Sequence, residues 1–206
     1  MCFSAQASFI ASGVLGIIGL YSLNKASRKQ IPLALVPTLF SVQQAFEGIV
    51  WLTYANPAYA MLNTISVYGF CFFAFAFWPF WVPLTALLME KDVQRKKLLQ
   101  LLLILGSGVA SFLVFAVAKL GIGTTVSCSH IKYSVLIPGI FGDIGAVLYC
   151  IATIAPFLVS SIRWMPLFGF LTLCSVGVTY FFYYAFFTSV WCFFAAALSA
   201  IIVFII

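Results

Sequence analysis

Charge is what this chain has least of. Four carboxylates, one histidine and ten Lys or Arg are spread over 206 residues, so charged side chains make up 7% of the sequence, against about 25% in a soluble domain. With 65% hydrophobic residues, no soluble fold of this size could hide its apolar surface. A polytopic membrane bundle has no need to, because lipid covers its outside. The single histidine excludes sites that require two, HExxH among them. No GxSxG, phosphate loop or histidine cluster occurs, and the last apolar segment contains no lysine for a rhodopsin-like Schiff base. There is no repeat of 20 to 50 residues and no low-complexity linker, so residues 1–206 read as one all-α transmembrane domain.

About 20 apolar residues span a bilayer core. On that ruler seven segments are expected, roughly 3–23, 31–53, 60–89, 98–119, 134–160, 165–186 and 188–206. The third is long enough to tilt, or to kink at Pro79 or Pro83. The last two are separated by a very short turn near Phe187–Ser189. The net charge of +6 does not point to nucleic acid, because the basic residues lie between apolar segments. Lys25, Arg28 and Lys29 follow the first segment, the reverse of a cleavable signal peptide. They share one side with Lys91, Arg95, Lys96, Lys97 and Arg163. Basic loops stay cytoplasmic, so the expected orientation is N-terminus out and C-terminus in.

Of the four acids, Glu90 and Asp92 read as solvated charges in a cytoplasmic loop. Glu47 and Asp143 fall inside spans, where an ionisable side chain costs several kcal/mol unless paired, hydrated or protonated. Both map to the outer half. In SVQQAFEGIVW, Gln43 and Gln44 precede Glu47 by four and three residues, and Trp51 follows by four, so all four share one helix face. That stripe is expected to face the bundle. Gln6 in the first helix, Tyr180, Tyr183 and Tyr184 at the end of the sixth, and the loop GIGTTVSCSHIKYS fall at the same level. Together they suggest an outward-opening polar pocket with the loop as its cap. For Glu47, the alternative is interhelical glue. For Asp143, in PGIFGDIG, a structural hydrogen bond is the alternative.

Cys71, Cys150 and Cys174 read as small packing residues. Cys2, Cys128 and Cys192 map to the outer face. Two of them could pair as a disulfide, or all three could join His130 in a soft-metal site for zinc or copper, although Cys128-Ser-His130 is no standard metal motif. The aromatic run YGFCFFAFAFWPFWVP reads first as core and lipid packing. Haem or a quinone would also fit such a surface, but no motif supports either. The small residues of Gly106-Ser-Gly-Val-Ala-Ser111 read as a close helix contact.

Met1-Cys-Phe-Ser-Ala5 with Ala7-Ser-Phe9, then QQxxEGxxW at Gln43–Trp51, then Trp191-Cys-Phe-Phe-Ala195, resemble a family of small bacterial integral membrane proteins of unknown function. The resemblance runs over most of the chain. It implies a bacterial inner (cytoplasmic) membrane and no particular reaction.

Three functions stay open. The pocket would bind a metal ion, a cofactor or a small ligand in a sensor, carrier or small transporter. A thiol, Cys2 or Cys192, would serve a membrane enzyme with His130 or Glu47 as base. Or the chain would be an accessory subunit of a larger membrane complex. A homo-oligomer is compatible with each. No inverted repeat favours transport.

Overall fold

The computed structural model describes residues 4–127 and 129–206, and Phe141 by its backbone alone. Six runs are long and apolar enough to cross a membrane: Ala5–Lys25, Ile31–Thr53, Pro57–Met89, Val93–Leu120, Gly142–Val159 and Met165–Ile205. The first two are helices α1 (Ala5–Lys25) and α2 (Ile31–Thr53). Ser4 caps α1 by accepting from the Ala7 N–H at 3.2 Å. The two helices pack closely. A Cβ on Gly19 would come within 2.7 Å of the Thr38 backbone nitrogen, and Ser41 Oγ donates to the Ser12 carbonyl at 2.7 Å.

The third run departs from a plain helix. It begins with a 3₁₀ turn, Pro57–Tyr59, continues as α3 (Ala60–Cys71), loosens into a π turn over Phe72–Phe77, and resumes as α4 (Trp78–Met89). Tilt, or a kink at Pro79 or Pro83, was expected; the irregularity found is this π turn just ahead of the prolines, and α4 runs on through both. In the π turn, the Trp78 N–H donates to the Phe73 carbonyl, five residues back. The next donor in that pattern would be residue 79, a proline, which has no N–H. The orphaned Ala74 carbonyl accepts instead from the Tyr149 hydroxyl of α6 (Gly139–Val159). A backbone vacancy in one helix is therefore filled by a side chain of another, as burial requires.

Helix α5 (Val93–Leu120) starts on Asp92, whose carboxylate accepts from the Arg95 N–H at 2.8 Å. Between α5 and α6 the chain forms an antiparallel hairpin, β1 (Gly123–Ser127) and β2 (His130–Ser134). The seven-segment reading contains no strand. The signal was the alternation within HIKYS, which puts Ile131 and Tyr133 on one face; both are buried, while Lys132 between them is exposed.

The last run is 41 residues long and folds back on itself. Helix α7 (Met165–Tyr183) ends in a 3₁₀ turn, Tyr184–Phe186. Then α8 (Phe187–Ser199) and the short α9 (Ile202–Ile205) return along it. Ile202 and Ile205 join the core cluster that holds Leu33, Met89 and Met165. These residues lie at the start of α2, the end of α4 and the start of α7, and they mark one end of the bundle. This basic end is also tied by Trp81 Nε1, which donates to the Pro32 carbonyl at 3.1 Å. The hairpin closes the far end.

Glu90 corrects the reading of a solvated loop charge. It is 2% exposed and joins two loops of the basic end. Its carboxylate accepts from the Ser161 N–H at 2.8 Å and Oγ at 2.6 Å, and from the Lys91 and Asp92 N–H groups at 2.8 and 3.1 Å. Burial raises its pKa, but the Ser161 hydroxyl and the three N–H groups outweigh that and lower it to about 2. A depressed carboxyl adds stability that is complete above its unfolded value and is lost as pH falls towards the folded one. At neutral pH, Glu90→Gln should therefore lower stability by about 2 kcal/mol, the worth of charge-assisted bonds to one group. The gap to wild type should close as pH falls from about 4.5 towards about 2. Thermal unfolding in detergent at pH 7 and pH 3 checks this; an equal gap at both would refute it.

Candidate functional site

The residues singled out in the sequence separate into two compartments at the far end. The first is closed. Glu47, Gln43 and Gln44 are buried on one face of α2 at 2%, 0% and 0% exposure. The Ser189 hydroxyl, near the start of α8, donates to Glu47 Oε1 at 2.6 Å, and Gln44 Nε2 donates to Oε2 at 3.3 Å. No Lys or Arg forms an ion pair with Glu47 among the described residues. Gln43 Oε1 accepts from Trp78 Nε1 at 2.8 Å, and the Trp78 ring stacks on Phe40 at 4.0 Å. An acid bonded across to α8 and an amide bonded across to α4 make this stripe the polar joint of three helices.

The hairpin covers that joint. Ile131 and Tyr133 pack with Val50, Phe70, Cys71 and Cys192, and Trp51 lies against the same cluster. The Tyr133 ring stacks on Phe70 at 4.6 Å. Burial, and next the nearby Glu47, push the Tyr133 phenol well above its usual range, so it keeps its proton. The expected cap over the acid is thus present, built from strand residues. His130 stacks on Phe186 at 4.9 Å and lies 5.4 Å from the Tyr183 ring, so the hairpin is also fastened to the α7–α8 turn.

The second compartment is an open cleft of about 640 Å³. Helices α6 and α7 pack tightly near the basic end. There the Phe157 and Phe168 rings meet edge-on at 4.8 Å, and a Cβ on Gly169 would come within 2.9 Å of Phe157. Towards the far end the two helices diverge, and the cleft opens between residues 142–151 of α6 and Val176, Tyr180 and Trp191 of the returning arms. Asp143 and Tyr180 line it, and both are exposed. The π turn supplies Ala74 and Phe75 to the inner wall. Cys192 stands between the compartments: it lines the cleft and also packs in the cluster beneath the hairpin.

One pocket was expected, and two compartments are found. Gln43, Gln44, Glu47 and Trp51 belong to the closed one, Asp143 and Tyr180 to the open one, and Cys192 to both. Gln6 is exposed on the first turn of α1 and is not among the residues lining the cleft. Of the soft-metal set, Cys2 and Cys128 lie outside the described residues, as does any disulfide they form. Among the described residues no group of three or more His, Cys, Asp or Glu side chains could hold a metal. Cys71 is buried, as a packing residue should be, whereas Cys150 lines the cleft and Cys174 is exposed. Sequence reasoning did not find Ser189, Tyr149 or the role of Trp78. Each is an ordinary residue in an apolar helix until its partner is known.

A model of a family of unknown function, DUF6629, matches residues 1–206. The chain belongs to this family. No curated protein and no solved structure matches it. The match spans both compartments, so the acid joint and the cleft lie within one family unit.

Proposed function

We propose that the chain is a ligand-binding protein of the bacterial inner membrane, with an outward-facing cleft that takes a small amphipathic amine. The cleft itself carries this reading. Its volume of about 640 Å³ suits a small organic molecule, which pockets of about 300–1,000 Å³ typically hold. Its walls are largely apolar, with one carboxylate, Asp143, near the open end. Asp143 makes no ion pair with Lys or Arg among the described residues, so a ligand cation would be its first partner. The closed joint around Glu47 serves as the rigid floor, holding α2, α4 and α8 at fixed separation.

The topology behind "outward" is seven crossings with the N-terminus out. Three loops carry eight of the ten basic residues, and such loops stay cytoplasmic. The α7 arm has 19 residues and the returning arm is of similar length, so each comes near the roughly 20 residues a crossing needs.

Dansylcadaverine tests the reading, since it joins a primary amine to an apolar fluorophore. Titrated into the protein in nanodiscs, it should show saturable, blue-shifted fluorescence. Asp143→Asn should weaken binding about tenfold, equivalent to about 1.4 kcal/mol, while the N-acetylated probe should bind both proteins equally. A signal that never saturates, or an unchanged Kd in Asp143→Asn, would overturn the proposal.

A further inference from the structure

The wall of the cleft holds one buried hydrogen-bond donor that has no acceptor among the described residues. Trp191 is 6% exposed and its indole N–H has no partner among the described residues. Indole can only donate, so that N–H needs an oxygen from elsewhere. Trp191 lines the large cleft and also an adjoining cavity of about 50 Å³. A buried donor left without an acceptor costs about 1–3 kcal/mol, and in native structures such a group calls for an explanation. Tyr149, on the same wall, offers nothing to a ligand, since its hydroxyl is committed to the Ala74 carbonyl.

We infer that the ligand of this cleft carries a hydrogen-bond-accepting oxygen at its inner end, received by the Trp191 indole N–H. The inference rests on the binding reading above and adds to it the chemical class: an amine at the mouth and a carbonyl-type oxygen at the floor. The spacing is set by α6. Six residues separate Asp143 from Tyr149, roughly 9 Å of helix rise, and the Tyr149 ring lies 5.7 Å from that of Trp191. The shared chemistry fits a free aminoketone, and equally the ammonium and ester carbonyl of a phosphatidylethanolamine headgroup.

The experiment compares octylamine with 8-aminooctan-2-one as displacers of dansylcadaverine, with the protein in phosphatidylcholine nanodiscs. The ketone is the more polar molecule, so without a donor at the floor it should bind no better than the amine. With Trp191 in place it should bind about tenfold more tightly. Trp191→Phe keeps an aromatic wall and should abolish that preference; a tenfold ratio corresponds to about 1.4 kcal/mol. Equal affinities in the wild type, or a preference that survives in Trp191→Phe, would overturn the inference. A readout needing no variant is the infrared carbonyl band of ¹³C-labelled ketone, which should fall in frequency when bound; an unshifted band refutes it as well. If dansylcadaverine itself does not saturate, the binding reading fails and this one with it. If it saturates and the ketone shows no preference, only this one fails. Exchange into phosphatidylethanolamine nanodiscs separates the two ligand sources: competition by the lipid assigns the headgroup to the cleft, and its absence assigns a free solute.

Discussion

Glu47→Ala should cost the bundle about 3 kcal/mol, in the range found when a buried network loses its central member. The carboxylate receives Ser189 from α8 and Gln44 from α2. Its removal strands the Ser189 hydroxyl in an apolar interior. It also leaves the Gln44 amide without a partner at either end among the described residues, since Oε1 already has none there. The emptied volume adds a cavity penalty. Glu47→Gln keeps the shape and one acceptor oxygen for Ser189, so it should cost about 1 kcal/mol, the worth of a single hydrogen bond. The buried thiols of Cys71 and Cys192 provide the assay, because a thiol-reactive dye reports when they become accessible on heating. If the alanine variant melts with the wild type, the joint does not hold α2 to α8. If the glutamine variant is as weak as the alanine, the negative charge itself is required.

Gly106→Ala should be at least as damaging, again about 3 kcal/mol and at the upper end of overpacking costs. A Cβ there would collide with the Pro79 carbonyl oxygen and sit 2.9 Å from its carbon. Both are backbone atoms and cannot swing aside. The reason for so close an approach lies in α4. The Pro79 carbonyl would ordinarily accept from residue 83, which is also a proline, so the oxygen is open to a neighbour. The glycine hydrogen in the Cβ direction points at it, a weak C–H···O contact that small residues permit between helices. Gly108, two residues on, provides the control. A Cβ there meets nothing within 4 Å, so Gly108→Ala should be neutral or slightly stabilising through helix propensity. Equal melting of the two variants would show that α5 does not rest on the Pro79 carbonyl.

The parts of this fold that depend on chain length and face were legible in the sequence. Apolar runs placed the helices to within a few residues, because lipid leaves little choice but helix over about 20 such residues. The spacing of Gln43, Gln44 and Glu47 put them on one face, and that face is buried. The small residues at Gly106 marked a close contact. What could not be read was partnership. Nothing in SVQQAFEGIVW names Ser189, which lies 142 residues away. Nor does anything show that Asp143, at a similar depth, opens on a separate cavity, since depth along a helix says nothing about the direction in which a side chain points. Glu90 was misread for a related reason. Beside Lys91 and Asp92 it looks like loop charge, and only the Ser161 loop folded against it makes it a buried anchor.

The π turn at Phe72–Phe77 has a consequence for length. A π turn carries one residue more than the α-helical turn it replaces, and one residue rotates a helix by about 100°. Upstream of it, α3 turns Phe70 and Cys71 towards the hairpin. Downstream, α4 turns Trp78 to Gln43 and Pro79 to Gly106. The surplus residue is the phase shift that lets both halves meet their partners. Apolar residues in this stretch are interchangeable to the extent that volume allows, but their number is not. Deleting one residue would restore a regular helix and turn one half or the other away from the neighbours it was built to meet.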